Sequence, residues 1–296
     1  MNIDPGIIVT KPTTGRLYVV ATPIGNLGDF SPRARATLEN CSLIAAEDTR
    51  HTGTLLKTFG ISTPLVSLHE HNEAERVPAL ILRLQGGESI ALVSDAGTPA
   101  ISDPGFDLVR AAAAAGIAVV AIPGPCAAVA ALSIAGLPTD RFCFEGFLAA
   151  RASARRAQLQ ALKLEPRTLI FYESPHRVVD TLAACAAVLG AERPATLARE
   201  ITKLHETLYR GNLGELAARA TADGDMARGE IVLLIGGAPA QPSAVEGDDS
   251  QGAALDRVLS VLLAELPLKQ AAHLAAKITG VRDNEAYKRA LRLKEN

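Results

Sequence analysis

The sequence has few cysteines, no excess of either charge and no long apolar run, and each absence excludes a class of protein. Its four cysteines form no CxxC pair and no metal-ligand spacing, which indicates reduced thiols in a cytoplasmic protein. A net charge of −2 excludes a strongly basic nucleic-acid coat and leaves room only for a regional basic face. No uncharged apolar run approaches the roughly 18 residues of a membrane span, so we expect neither membrane insertion nor secretion.

Two common nucleotide-binding motifs are also missing. The loop GNLG after the first predicted strand is not GxGxxG, and GxxxxGK[ST] occurs nowhere in the chain. Neither a dinucleotide fingerprint nor a P-loop is therefore expected.

Strands and helices alternate along most of the 296 residues, which predicts an α/β fold. A break near Leu137 divides the pattern into a first α/β domain, residues 1–137, and a second, residues 138–237. Residues 238–252, rich in proline, small and acidic residues, read as a linker. A helical segment, residues 253–296, follows. Its layout resembles a helix-turn-helix, although helical hairpins with a glycine turn are common.

The stretch 90–105, IALVSDAGTPAISDPG, organises the first domain. A buried strand, Ile90 to Val93, runs into a polar loop with Gly97 in its turn. Asp103 and Pro104 then predict an N-cap and the first position of a helix. Because ligands bind at the carboxyl ends of parallel strands, we expect the loops 22–28, 94–103 and 123–127 to form one site.

Polar clusters follow two other predicted strands. In EDTR, residues 47–50, a carboxylate would deprotonate a hydroxyl while Arg50 holds a phosphate; alternatively Glu47 and Arg50 form a weak surface pair. In HEH, residues 69–71, two histidines would share one face of a strand, but no third ligand is evident, so we expect no metal. Cys126 has no histidine partner and is interpreted as a packed thiol.

One region is basic. Between Arg141 and Arg177 there are seven basic and three acidic residues, a local charge of +4. The motif RASARR, residues 151–156, would either follow a phosphate backbone or form a solvated helix face.

Eight motifs in order resemble the tetrapyrrole-methylase superfamily, and most closely its ribosomal RNA methyltransferases: LYVVATPIGNLGD, AAEDTRHTGTLL, SLHEHNE, VSDAGTPAISDPG, IPGPCAAVAAL, FYESPHRV, AREITKLHE and GEIVLLI. The resemblance implies two α/β domains of tetrapyrrole-methylase type with a C-terminal helical segment. It also implies S-adenosylmethionine as cofactor, a homodimer, and methylation of a cytidine ribose 2'-hydroxyl in the decoding region of 16S rRNA in the small ribosomal subunit.

The resemblance assigns the cofactor-binding residues, with Cys126 standing where the family usually has serine, whereas the catalytic and RNA-contact candidates come from the strand-end polar clusters and the arginines. The expected catalytic candidates are Asp48, Asp95, Glu47 and His69. The expected RNA contacts are Arg50, Arg151, Arg155, Arg156 and Arg177. The expected cofactor-binding residues are Pro23, Gly97, Thr98, Ile101, Cys126, Ala127, Phe171, Tyr172, Ala198, Arg199, Glu230 and Ile231.

Two other functions fit the same motifs. The cleft would also serve a methyltransferase of a small tetrapyrrole or a protein side chain, and a module that binds cofactor or RNA without turnover is a different class. The basic region favours RNA over a macrocycle, and the carboxylates at strand ends favour chemistry over binding alone.

Overall fold

The computed structural model describes residues 15–239 and 250–295. The chain divides into two compact units, one ending at Ala238 and one beginning at Pro239. Most of the predicted linker, residues 240–249, lies outside the described residues. No helix in the described part of the chain is long and apolar enough to cross a bilayer.

The first sheet of the larger unit has five parallel strands in the order β3-β2-β4-β1-β5. Strand β4 lies at its centre with all four residues buried, which explains its uninterrupted apolar sequence. Helices cover both faces. The strands are β1 (Arg16–Val20), β2 (Leu43–Ala46), β3 (Leu65–Ser67), β4 (Ile90–Val93) and β5 (Ala118–Ile122); the helices are α1 (Pro32–Asn40), α2 (Thr49–Thr58), α3 (Glu73–Gln85) and α4 (Phe106–Ala114).

The second sheet is mixed, in the order β6-β7-β10-β8-β9, with only β6 and β7 parallel. The predicted boundary at 137/138 falls between the two sheets. The strands are β6 (Phe142–Phe147), β7 (Thr168–Glu173), β8 (Pro194–Arg199), β9 (Thr207–Asn212) and β10 (Ile231–Ile235); the helices are α6 (Ala152–Ala161), α7 (Val178–Leu189) and α8 (Leu213–Ala222).

One helix links the sheets. Helix α5 (Ala127–Ala135) follows β5 of the first sheet but packs on the second sheet, with Ala128, Ala131 and Leu132 against Ile170 and Val232. Its alanines let the helix lie close to the strands. The start of α5 is thereby fixed at the edge where the two sheets meet.

Among its described residues the smaller unit has three helices: α9 (Ser250–Glu265), α10 (Leu268–Thr279) and α11 (Asp283–Glu295). Alanines of α10 and α11 pack around Leu255 and Leu259 of α9. Gly280 ends α10 in the left-handed conformation, φ 75°, as the sequence predicts. Helix α9 begins at Ser250, three residues before the predicted start of the helical segment.

One strand face and one helix start were predicted wrongly. Strands β2 and β3 end at Ala46 and Ser67, before EDTR and HEH, so the two histidines lie in a turn and do not share the strand face predicted for them. Helix α4 begins at Phe106 with Gly105 as its N-cap, φ 118°, and Asp103 does not cap it. The Glu73 carboxylate takes that role from a distant part of the sequence.

Candidate active site

A cavity of about 400 Å³ lies where the carboxyl ends of the first sheet face the second sheet. The three loops predicted to converge do meet here, contributing Ile24, residues 95–98 with Ile101 and Asp103, and Cys126 with Ala127. The second sheet closes the other side. Its lining residues are Phe147, Tyr172, Glu173, Ser174, Pro175, Ile201, Gly229, Glu230, Ile231 and Val232.

Gly97 ties the loops together. Its backbone exchanges two hydrogen bonds with Thr22, N to O at 2.9 and 3.1 Å, and Thr98 Oγ1 donates to Pro125 O at 3.0 Å. Gly97 has φ +80°, and a Cβ there would lie 3.2 Å from the Ile24 side chain. Glycine is therefore required by both backbone conformation and space.

The loop after Gly97 contains two residues in a conformation that side chains disfavour. Ala100 and Ser102 have φ 66° and 65°. Each costs about 1 kcal/mol or more, so the surrounding structure must hold them in place. The strain lies between Gly97 and Asp103, the two ends of the loop that line the cavity.

Three carboxylates cluster at one end of the cavity. Glu47 Oε2 accepts the backbone N–H of Asp95 at 3.3 Å, and Asp95 Oδ1 accepts that of Asp48 at 3.0 Å. Burial raises the pKa of Glu47. Burial, with the charges of Glu47 and Asp95, raises the pKa of Asp103 to about 6 against a hydrogen bond from Ser94. The cluster favours a cationic group or a proton to be accepted.

Tyr172 and Glu173 lie in the opposite wall of the cavity. The Tyr172 hydroxyl accepts the Ala128 N–H at 3.2 Å, and burial raises the pKa of Tyr172 well above its ordinary value. Glu173, only 3% exposed, accepts from Thr181 Oγ1 at 2.6 Å and pairs with Arg177 at 3.3 Å. Glu173 is thus a satisfied structural charge.

The residues fit S-adenosylmethionine, the cofactor that the resemblance implies. Apolar side chains, among them Ile24 and Val232, suit an adenosine, and the carboxylates suit a positive sulfonium. The N-terminus of α5 has no side-chain cap, so its backbone N–H groups suit the cofactor's carboxylate.

Eight of the twelve predicted cofactor residues line this cavity: Gly97, Thr98, Ile101, Cys126, Ala127, Tyr172, Glu230 and Ile231. Pro23, Phe171, Ala198 and Arg199 do not. Phe171 is completely buried in the core on the other face of β7, because successive strand residues alternate. The Arg199 guanidinium donates to the carbonyls of Arg228 and His205, outside the cavity lining.

Only some of the catalytic candidates lie at the cavity. Glu47 and Asp95 line the cavity. Asp48 does not; it caps α2, and its hydrogen bonds with Arg50 hold the pKa of Asp48 far below its ordinary value, which makes it a poor base. Asp103 was missed as a site residue because Asp-Pro so often marks a helix start.

His69 is held in place by Asn72. Asn72 Oδ1 accepts the His69 backbone N–H at 2.9 Å. The other end of the Asn72 amide, its nitrogen, therefore lies 3.2 Å from His69 Nε2 and donates to it. A neutral ring accepting there carries its proton on Nδ1, which is buried without a partner among the described residues. His69 is therefore held through Nε2 by Asn72 and forms part of the wall of a second, neighbouring cavity.

The arginines predicted to contact RNA differ in exposure and in their partners. Arg151 and Arg156 are exposed at the start of α6. Arg155 is only 6% exposed and faces the core with Leu159, one turn on, so the prediction is wrong for Arg155. Arg50 is exposed but paired with Asp48, and Arg177 is held by Glu173 and the Leu148 carbonyl.

A second cavity, of about 580 Å³, adjoins the first, and Glu47 and Asp103 line both. Its other lining residues are His69, Glu70, His71, Glu73, Ser102, Pro104, Phe106 and Asp107. Across residues 15–239 and 250–295, no three His, Cys, Asp or Glu side chains are arranged to hold a metal ion.

Comparison with known families and proteins gives consistent matches. Residues 16–217 match the family Tetrapyrrole (Corrin/Porphyrin) Methylases, and residues 249–294 match the RsmI C-terminal HTH domain. A protein of Pseudomonas aeruginosa named ribosomal RNA small subunit methyltransferase I is 58% identical, covering 94% of this chain and 98% of its own. Its namesake from Escherichia coli O157:H7 is 55% identical, covering 94% and 95%.

The fold matches solved structures as well. Uroporphyrin-III C-methyl transferase from Thermus thermophilus, solved with S-adenyl homocysteine, superposes with a TM-score of 0.52. The match covers 75% of this chain and 97% of that one at 17% sequence identity. The two-sheet architecture is therefore common to both proteins.

Proposed function

This chain belongs to the tetrapyrrole (corrin/porphyrin) methylase family, and we propose that it methylates small-subunit ribosomal RNA with S-adenosylmethionine. Two relatives that match nearly the full chain at 55% identity or more carry that activity in their names. The acceptor is the ribose 2'-hydroxyl of a cytidine in the decoding region of 16S rRNA. The protein acts in the cytoplasm, where ribosomal subunits are found.

The observation that carries the proposal is the position of the carboxylates. Glu47 and Asp103 lie on the boundary between a largely apolar cavity that suits the cofactor and a second, polar cavity. An acceptor hydroxyl at that boundary has a carboxylate beside it. A site that only binds the cofactor has no need of two carboxylates whose pKa values burial raises.

The cofactor, when bound, supplies a methyl group on a positively charged sulfur. The chain's own residues bind it, exclude water and align the acceptor, which is the main requirement of an in-line displacement. A carboxylate accepts the hydroxyl proton as the new bond forms. Asp103 suits this task because its pKa, about 6, lies close to neutral pH.

Two exposed arginines support RNA as the substrate. Arg151 and Arg156 lie at the start of α6 in the basic region of an otherwise weakly acidic chain. Such cations bind a phosphate backbone through counterion release.

A homodimer is also part of the proposal. Strand β5 is the edge of the first sheet, and Ala118, Val119 and Ala121 are exposed on it. Because an exposed apolar edge strand invites association, a partner subunit would cover it. Sedimentation equilibrium measures the mass directly, and a monomer at micromolar concentration would reject the dimer without touching the activity.

Labelled S-adenosylmethionine tests the activity. The purified chain is incubated with undermethylated small subunits, free 16S rRNA, large subunits and a small tetrapyrrole. We expect label in 16S rRNA and, after digestion, in 2'-O-methylcytidine identified by mass spectrometry. Label in the tetrapyrrole or in ribosomal protein would instead favour the alternative function, methylation of a small tetrapyrrole or of a protein side chain. Cofactor binding without label in any substrate would support a non-catalytic module.

A further inference from the structure

The second cavity adjoins the cofactor cavity, and we propose that it receives the base of the acceptor nucleotide and selects a base with an exocyclic amino group, cytosine or adenine. This inference deepens the proposed function and depends on it. The selecting group is the Glu70 carboxylate, and the stacking surface is Phe106.

Continuity between the cavities places the base. Glu47 and Asp103 line both cavities, so the acceptor ribose lies at their common boundary. A base attached to that ribose must extend away from the cofactor. Enzymes that act on a base within a nucleic acid take it out of its stack into a pocket, and the second cavity offers the base of the reacting nucleotide such a pocket. The second cavity, about 580 Å³, has room for a pyrimidine or purine.

Phe106 provides a ring for stacking. It is the first residue of α4 and is 63% exposed, although Arg110 lies over its ring at 5.5 Å. His69 and His71, also in the lining, contact each other edge to face at 6.0 Å. Base stacking on aromatic rings is the usual way to hold an extruded nucleotide.

The lining offers hydrogen-bond acceptors and no lysine or arginine. Five of its side chains are carboxylates: Glu47, Glu70, Glu73, Asp103 and Asp107. A carboxylate accepts the cytosine N4 amino group and opposes the O4 of uracil, which is itself an acceptor. The cavity therefore favours an amino-bearing base.

Most of these carboxylates are already engaged. Glu73 caps α4, and Asp107 pairs with Arg110 at 2.8 Å. Glu47 accepts from the Asp95 backbone and Asp103 from Ser94. Glu70 has no hydrogen bond or ion pair to any described residue and is exposed. Glu70 is the one lining carboxylate left to accept from a base.

The test compares three variants of the full chain. Phe106→Ala removes the stacking ring, and Glu70→Gln replaces an obligate acceptor by an amide that can also donate. Glu75→Gln, an exposed carboxylate on α3 outside the cavity, is the control. Substrates are small subunits reconstituted with 16S rRNA that carries cytidine or uridine at the mapped target position. Calorimetry measures cofactor affinity for every variant.

We expect Phe106→Ala to raise the KM for the subunit about tenfold or more while the cofactor Kd stays within about twofold. Glu70→Gln should lower the cytidine over uridine preference at least about tenfold, the size of one base contact. Glu75→Gln should match the wild type in both measurements.

Two results would overturn the inference and leave the proposed function standing. One is methylation by both cavity variants with wild-type KM and base preference. The other is an equal loss of cofactor affinity, which would assign the effect to the cofactor cavity. A wild-type chain that methylates no RNA would reject the proposed function, and this inference with it.

Discussion

The Glu73 carboxylate caps a helix that begins 33 residues later in the chain, accepting the backbone N–H of Asp107 at 2.9 Å through Oε1. Gly105 and Leu108 donate to the same carboxylate at 3.3 and 3.2 Å. Glu73 is 8% exposed and lies in the first turn of α3. One buried charge thus joins the starts of α3 and α4 and holds the wall that carries Phe106.

Replacing Glu73 by alanine should destabilise the larger unit by about 3 kcal/mol, because three buried N–H groups lose a charged acceptor. The melting temperature should fall by about 6–12 °C. Glu73→Gln keeps one acceptor oxygen and should lose about half as much. Exposed Glu75→Ala is the matched control and should melt within about 1 °C of the wild type. Equal melting of Glu73→Ala and the control would contradict the capping role.

The same contact shows where sequence reasoning fails. Asp103 and Pro104 form a strong local cap signal, yet the cap comes from Glu73, whose proximity is set by the packing of α3 on α4. Local patterns were reliable where the element depends on its own residues. Strand β4, which was predicted over Ile90 to Val93 and is observed there, is an example.

The loops that form the candidate site could be predicted from the sequence. Which side chains of a strand or helix point toward the cavity could not. Phe171 and Tyr172 are neighbours in one motif, and only Tyr172 lines the cavity. Arg155 and Arg156 are likewise neighbours, and only Arg156 is exposed. In both pairs, adjacent residues point to different faces of the same strand or helix. Which face is buried depends on the tertiary structure, which a short motif does not contain.

Gly97→Ala should damage both stability and cofactor binding. The left-handed backbone costs alanine about 1–2 kcal/mol, and its Cβ would press on Ile24 at 3.2 Å. Shifting the loop would break its paired hydrogen bonds with Thr22. We expect calorimetry to show at least about a tenfold weaker cofactor Kd. Gly60→Ala is the control, because Gly60 also has a positive φ but an added Cβ there would have no neighbour within 4 Å. It measures the cost of backbone strain without crowding at the cavity.

Cys126→Ser should stabilise the chain. Cys126 occupies the N-cap of α5 with extended backbone, φ −143° and ψ 116°, but its side chain makes no capping bond. Serine there can accept the Val129 N–H, which has no intrahelical partner, for a gain of about 1 kcal/mol. Thermal melting should show an increase of about 2–4 °C. Cys126→Ala should show no increase, and a serine variant no more stable than alanine would contradict the capping geometry.

Arg155 and Arg156 should have opposite effects when replaced. Arg156→Ala removes an exposed cation and should lower the salt dependence of RNA binding by about 0.7 in the log–log slope, with melting unchanged. Arg155→Ala empties a buried position beside α7, near Cys185, and should lower the melting temperature by several degrees with the slope unchanged. Binding titrations at several salt concentrations measure the slope. A reduced slope for Arg155→Ala alone would reverse the assignment.

Asp103 should link activity to pH. Burial raises its pKa to about 6 from an ordinary 3.8. If its carboxylate accepts the acceptor's proton, kcat/KM should fall about tenfold per pH unit below about 6, because the protonated form cannot serve as base. Asp103→Asn should lose most of the activity at every pH while cofactor binding persists. A variant with wild-type rates would leave Glu47 or Asp95 as the base.

The raised pKa also sets the sign of a stability effect. The folded chain holds the Asp103 proton more tightly than the unfolded chain does, so the ionised carboxylate is a penalty above pH 6 that disappears as the pH falls from about 6 to 3.8. Allowing for solvent screening, the penalty is about 1 kcal/mol. Asp103→Asn should therefore melt about 2–4 °C higher than the wild type at pH 7.5 and at the same temperature near pH 4. A stabilised but inactive variant is the expected signature of a carboxylate retained for catalysis and not for folding. An asparagine variant less stable than the wild type at pH 7.5 would instead assign Asp103 a structural role through Ser94.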